Sequence, residues 1–167
     1  VRRLRREAPH ALLVDAGDVL EGSALSHHYA RLLAGPGDVP LHPMAAVMNH
    51  LRYDAVTLGN HELDYGLAAL ARFREQLDAP LLAGNVHDAV TGEPTLEGYV
   101  LRDVAVLDGA PPVRVGIIGL TTPKVASWNR DVRAYLRFTD LDTAAGSLVD
   151  AVRDAGAEVV VAVVHSG

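Results

Sequence analysis

Cysteine is absent from the 167 residues. Disulfides, thiolate metal sites and cysteine nucleophiles are therefore excluded, and the redox compartment is left open. No stretch approaches the roughly 20 apolar residues of a membrane-spanning helix. Positive charge is scarce: the formal net charge is −6, which offers no basic surface to a nucleic-acid polymer. The one dense basic run, VRRLRRE at residues 1–7, carries apolar Val1 and Leu4 and is expected to be the solvated end of a helix. The phosphate-cradling loops GxGxxG and GxxxxGKS/T are missing. No Ser-His-Asp order stands out, and Gly22-Ser23 lacks the flanking glycines of a nucleophile elbow.

What is present is an ordinary globular composition, 49% hydrophobic and 22% charged, with length enough for one domain and its core. Five apolar runs read as buried strands, each passing into small or polar residues. They are ALLV into DAGD (11–18), AVTL into GNHE (55–62), PLLA into GNV (80–86), VRVGIIGL into TTP (113–123) and EVVVAVV into HSG (158–167). Near-continuous Val, Ile and Leu suit strands covered on both faces, hence a largely parallel sheet. Helical spacing lies between them: Met44, Val47, Met48 and Leu51 share a face over 41–52, and Leu67, Leu70, Phe73 and Leu77 over 66–77. Leu141, Ala144, Ala145, Leu148, Val149 and Val152 do so over 140–155, before a stop at Gly156. Residues 23–34 are a weaker helical pattern. Loops are expected at 34–40 and 88–98, and 99–107 as a strand pairing antiparallel near an edge. Strands alternating with helices make an α/β fold, and in such folds ligands bind beyond the carboxyl ends of strands.

Those ends collect Asp15 and Asp18, then Asn60, His61 and Glu62, then Asn85, Thr121 and Thr122, and finally His165. A mixed Asp, Asn and His set suits divalent metals such as Mn, Zn or Fe that accept oxygen and nitrogen ligands. Two such ions about 3.5–4 Å apart would clamp a phosphoryl group during in-line attack.

DAGD (15–18), YDAVTLGNHELDYG (53–66), GNV (84–86), VGIIGLTTP (115–123) and VVVAVVHSG (159–167) resemble successive blocks of the calcineurin-like metallophosphoesterases, in the 5′-nucleotidase and 2′,3′-cyclic-nucleotide phosphodiesterase branch. The resemblance implies a layered α/β metallophosphoesterase fold with a mostly parallel sheet flanked by helices. It implies hydrolysis of nucleotide phosphate esters by a metal-bound hydroxide, with two divalent ions. By it, Asp18 would bridge the metals, and Asn60 and His165 would ligate one of them. His61 would face the phosphate as a cation, stabilising the transition state or protonating the leaving oxygen, with Asn60 also touching substrate. Glu62 and Asp64 are candidates to orient His61; Asp15 and Asn85 are expected as supporting or backbone-bonding residues.

The family's first block, Asp-x-His, and its last, Gly-His-x-His or Gly-His-x-Gln, are not in residues 1–167. The chain starts within a helical pattern without Met, shows no signal peptide and stops just after an apolar strand. It is therefore expected to be an incomplete catalytic domain without a second domain, truncated at both ends, with at most one weak metal site and little catalysis of its own. The branch also implies export of the parent protein. A nucleotide-sugar or other phosphoester hydrolase of the same fold is an alternative, as is an inactive α/β module that binds a ligand or partner. His10, His27, His28, His42, His50 and His87 are expected on the surface or in loops. Adjacent His27 and His28 point about 100° apart on a helix and cannot chelate together.

Overall fold

The computed structural model describes residues 1–106 and 109–166, with nothing said of the Arg2 side chain; Leu107 and Gly167 of the expected strand and HSG block lie outside the described residues. The chain runs α1 (Arg2–Glu7), β1 (Val14–Asp15), α2 (Ala24–Ala34), α3 (Pro43–Leu51), β2 (Ala55–Thr57), a 3₁₀ turn (His61–Leu63), α4 (Leu67–Gln76), β3 (Leu81–Leu82) and β4 (Val86–Asp88). It continues through β5 (Tyr99–Val104), β6 (Val113–Thr121), α5 (Val125–Trp128), α6 (Arg130–Tyr135), β7 (Leu136–Phe138), α7 (Leu141–Asp154) and β8 (Val159–His165).

Four helices, α2, α3, α6 and α7, start where a side chain satisfies free N–H groups. Ser23 Oγ accepts from Ser26 N before α2, and Asp140 accepts from Asp142 N and Thr143 N before α7. Pro43 follows the His42 cap of α3, the position where a missing N–H costs nothing. The parallel strands are divided between two sheets. β1, β2 and β3 form one parallel sheet; β6 lies between antiparallel β5 and parallel β8 in the other. The β6–β8 ladder runs in register from Val115 opposite Val159 to Thr121 opposite His165. β4 and β7 form a separate antiparallel ribbon.

Ala55 and Leu82 of the first sheet pack on Val115, Ile117 and Val163 of the second. Outside the first sheet, α2, α3 and α4 bury Leu33, Met48, Leu70 and Phe73. Outside the second, α7 buries Val152 against Ile118. The result is helices, sheet, sheet, helices, with the strand ends of both sheets opening toward the same edge.

Several expectations change in detail. Val47 is exposed, and Ala45 takes the buried place beside Met48, because the apolar face of α3 is rotated by one position. The stretch 88–98, expected as a loop, begins in β4, which pairs with β7. Residues 125–135 form two short helices that no apolar periodicity announced. His42, expected on the surface, is fully buried: its Nδ1 accepts from Met44 N at 3.2 Å and its ring meets Phe73 and Tyr29 edge-on. No helix among the described residues is long and apolar enough to cross a membrane.

Candidate active site

Glu62 organises the site from beneath. Its side chain is fully buried, and its Oε2 accepts from Asp18 N at 2.8 Å and Gly59 N at 2.7 Å. Its Oε1 accepts from Val19 N at 2.5 Å and Leu20 N at 3.2 Å. Burial pushes the carboxyl pKa up while these N–H groups pull it down, with burial the larger influence. All four of these partners are donors, so a proton on either oxygen would meet no acceptor among them, and the cradle accepts the carboxylate form. Glu62 was a candidate to orient His61; it instead grips the backbone of the loop after β1, since its side chain points inward from the 3₁₀ turn.

That grip holds Asp18 with φ +66, a left-handed conformation that costs free energy outside glycine. The carboxylate of Asp18 turns back, and its Oδ1 accepts from His61 N at 3.0 Å. The two loops approach so closely that a Cβ on Gly59 would strike Asp18 and Glu62, and one on Gly17, where φ is +93, would strike Gly59. Asp15 ends β1 and accepts from Gly17 N at 2.8 Å, as expected of a backbone-bonding carboxylate; burial raises its pKa.

His165 closes β8 and reaches across to this loop. Its Nδ1 lies 2.8 Å from the Ala16 carbonyl oxygen, which can only accept, so Nδ1 carries a proton. The opposite nitrogen, Nε2, lies 2.9 Å from Asn60 Oδ1 and 3.3 Å from Asp18 Oδ2. In the neutral ring three lone pairs then face one another across a gap a cation would fill. Asp18, Asn60 and His165 could therefore hold one divalent ion, and the donor chemistry fits. Among the described residues no three His, Cys, Asp or Glu side chains are grouped to hold a metal, because the third donor here is an amide oxygen.

His61 stands beside this set without joining it. Its Nδ1 lies 2.6 Å from Asp64 Oδ2, leaving Nε2 as the other ring position. The Asp64 hydrogen bond raises its pKa most, burial opposes this, and the charges of Asp18, Asp64 and Glu21 add to the rise. Asp64 is thus the orienting partner that Glu62 is not. Asn85 is not brought to the cluster: fully buried, it donates to Thr121 O and Thr139 O and accepts from Thr121 N at 3.0 Å, clamping β6 to the β4–β7 ribbon. Thr121 and Thr122 are buried at the turn after β6.

Asp18, Asn60, His61, Asp64 and His165 all line one open cavity of about 1020 Å³, whose far wall is Val125, Trp128, Asn129, Arg130 and Asp131. Sequence reasoning missed that wall, whose only signal was a lone tryptophan in an unpatterned segment. It also missed a side-chain network whose Glu21 charge acts on His61. There the Tyr65 hydroxyl donates to Glu21 and His27 Nδ1 donates to Tyr65 at 2.8 Å, while burial and then Glu21 push the Tyr65 pKa up to about 12.

Known proteins share both sequence and architecture with this chain. The trifunctional nucleotide phosphoesterase of Bacillus subtilis is 31% identical over 176 residues, covering 100% of this chain and 12% of that protein. A 2′,3′-cyclic-nucleotide 2′-phosphodiesterase/3′-nucleotidase of Salmonella typhimurium is 32% identical over 171 residues, covering 100% of this chain and 26% of that protein. Among solved structures, a calcineurin-like phosphoesterase from Bacillus subtilis superposes with a TM-score of 0.88 at 30% identity, over 99% of this chain and 51% of the other. A 5′-nucleotidase precursor from Thermus thermophilus gives 0.77 at 30% identity, over 99% of this chain and 30% of the other. No family model matches. The chain thus spans a small part of its curated relatives, yet the similarity runs from one end of it to the other in sequence and in fold, and the relatives and structural neighbours it matches are calcineurin-like phosphoesterases.

Proposed function

We propose that this chain carries the phosphoester-hydrolysing site of a metal-dependent nucleotide phosphoesterase. The observation that supports this most is the convergence of Asp18 Oδ2, Asn60 Oδ1 and His165 Nε2, with His61 on the same cavity and held by Asp64. Asp18, Asn60 and His165 would hold a divalent ion, which when bound acts as a Lewis acid toward a phosphoryl oxygen. Three donors serve one cation loosely. A second cation sharing Asp18 would need donors that the described residues do not group there.

The protein's own groups supply the rest. Ala16 O fixes the His165 tautomer so that Nε2 points into the site. Asn60 would present its amide nitrogen to a phosphoryl oxygen. His61, with Nδ1 held by Asp64 and its charged form favoured, would stabilise charge building on the phosphoryl group and donate the Nε2 proton to the departing oxygen. Nucleotides are the proposed substrates because the relatives' names speak of nucleotide esters. Export from the cytoplasm is proposed on the likeness to a protein named as a precursor.

The test is hydrolysis of AMP, 2′,3′-cyclic AMP and bis-p-nitrophenyl phosphate with and without Mn²⁺, beside His61→Ala, together with a Mn²⁺ titration of the protein and of Asn60→Ala. Metal-dependent turnover at least 100-fold lower in His61→Ala is expected, with one weak Mn²⁺ site abolished by Asn60→Ala. Absence of any metal-dependent turnover in the full-length protein would refute the hydrolase reading, and tight binding of two Mn²⁺ by this chain would refute the donor count.

A further inference from the structure

The pair that would act on the leaving oxygen is weakly held by its own turn. The His61 and Asp64 side chains are 43% and 42% exposed, and an ion pair this open to water does little to fix its own geometry. The backbone bonds beneath them are long: Leu63 N to Asn60 O at 3.2 Å, Asp64 N to His61 O at 3.3 Å and Gly66 N to Leu63 O at 3.2 Å. Glu62 ties the turn to the loop after β1 from its near end, and Asn129 reaches Leu63 O only at 3.4 Å. Gly66, with φ +85, then bends the chain into α4.

Tyr65 is the anchor between Asp64 and that bend. Its ring packs on the main core, and its hydroxyl donates to Glu21 Oε2 and accepts from His27 Nδ1 at 2.8 Å. The His27 ring meets it edge-on, with centroids 5.7 Å apart. Burial and then Glu21 hold the phenol pKa at about 12, while the Tyr65 hydrogen bond lowers the Glu21 pKa. The hydroxyl is thus a fixed donor and the carboxylate a fixed acceptor. His27 stands in the first turn of α2, whose Ala30 and Leu33 are buried, and Glu21 lies on the loop that carries Asp18. Loop and turn are therefore joined in both directions: Glu62 reaches from the turn to the loop, and Glu21 receives Tyr65 from just past the turn.

We propose that Tyr65 and Glu21 are positioning residues for the His61–Asp64 pair, with His27 steadying the hydroxyl between them. This rests on the hydrolase reading above, in which His61 protonates the departing oxygen, and adds to it the side chains that keep Asp64 on Nδ1.

In the metal-free protein, at a pH where the His61 ring is neutral, its nitrogen NMR shifts report which nitrogen carries the proton. Asp64 should hold it on Nδ1 in wild type, and Tyr65→Phe and Glu21→Ala should move it toward Nε2. Glu21→Gln keeps an acceptor for the hydroxyl without the charge and should stay near wild type. Mn²⁺ affinity should be the same throughout, since none of these changes releases Asp18. In the full-length protein, an alkoxide leaving group needs the proton that p-nitrophenolate does without. Tyr65→Phe should therefore lower kcat for AMP relative to p-nitrophenyl phosphate about tenfold, with KM little changed. Unmoved nitrogen shifts, equal losses on the two esters, loss of Mn²⁺ binding in Tyr65→Phe, or a Glu21→Gln protein that matches Glu21→Ala would overturn the proposal. If the wild-type full-length protein turns over neither ester, the hydrolase reading fails, and the nitrogen shifts still decide whether Tyr65 and Glu21 hold the pair.

Discussion

Replacing Glu62 by Gln tests whether one buried carboxylate holds the loop that presents Asp18. The side chain keeps its shape, but one of its two acceptor oxygens becomes an NH₂ donor facing two backbone N–H groups. Either the Val19 and Leu20 pair or the Asp18 and Gly59 pair loses its acceptor. A hydrogen bond to a charged group contributes about 1.5–3 kcal/mol, so two lost bonds amount to roughly 3–6 kcal/mol. Removing a buried charge returns part of this, because the carboxylate had to shed its water. A net loss of about 2–4 kcal/mol is expected, which for a chain of this size lowers Tm by roughly 5–15 °C. The loss should be local as well as global, since Asp18 keeps its left-handed conformation only while its N–H is held. Thermal melts followed by circular dichroism measure the first effect, and Mn²⁺ titration at a temperature where the variant is folded measures the second. A Glu62→Gln protein melting within about 2 °C of wild type and binding Mn²⁺ equally well would refute the reasoning.

Two further outcomes follow from buried polar groups away from the cavity. Burial lowers the pKa of His42, against a smaller upward pull from Ser26, so the folded protein binds fewer protons there than the unfolded chain. Its contribution is therefore intact above the unfolded value, near 6.5, and declines as pH falls through that value toward the folded one; urea midpoints at pH 7.5 and 5.5 should differ more for wild type than for His42→Asn. Asn85→Ala removes three hydrogen bonds, two of them fully buried, and takes a partner from Thr121 N and from the carbonyls of Thr121 and Thr139. It should destabilise by about 3–5 kcal/mol in denaturant titrations, with Mn²⁺ affinity unchanged in the folded protein.

The fold was legible where apolar periodicity and strand length agreed. β6 and β8 are long, continuous Val and Ile runs, and α7 has a cap, an apolar stripe and a glycine stop. The division into two sheets was not legible, because an apolar run states that a strand is covered and not by what. His42 was misplaced for a related reason: a polar residue beside prolines reads as loop, and only tertiary packing on Phe73 and Tyr29 buries it. In the site, Asp18, Asn60, His61 and His165 were visible as polar ends of apolar strands. The roles of Glu62 and Asp64 depended on which way a 3₁₀ turn rotates each side chain, and sequence spacing carries no such information. Trp128 escaped because exposure within a cavity has no local signature.

The β6–β8 register has a consequence for how this protein assembles. His165 is the last residue of the ladder, and its partners Asn60 and Ala16 lie 105 and 149 residues away along the chain. A slip of β8 by one residue would turn the imidazole to the other side of the sheet. Contacts this distant carry a larger loop-closure entropy than the local helices and are expected to form slowly. The point where Asp18, Asn60 and His165 converge therefore exists only in the completed chain, and a cation bound there would favour that state alone, by mass action. Metal binding would then act as a latch on the last strand, and its loss would be felt first as fraying of β8.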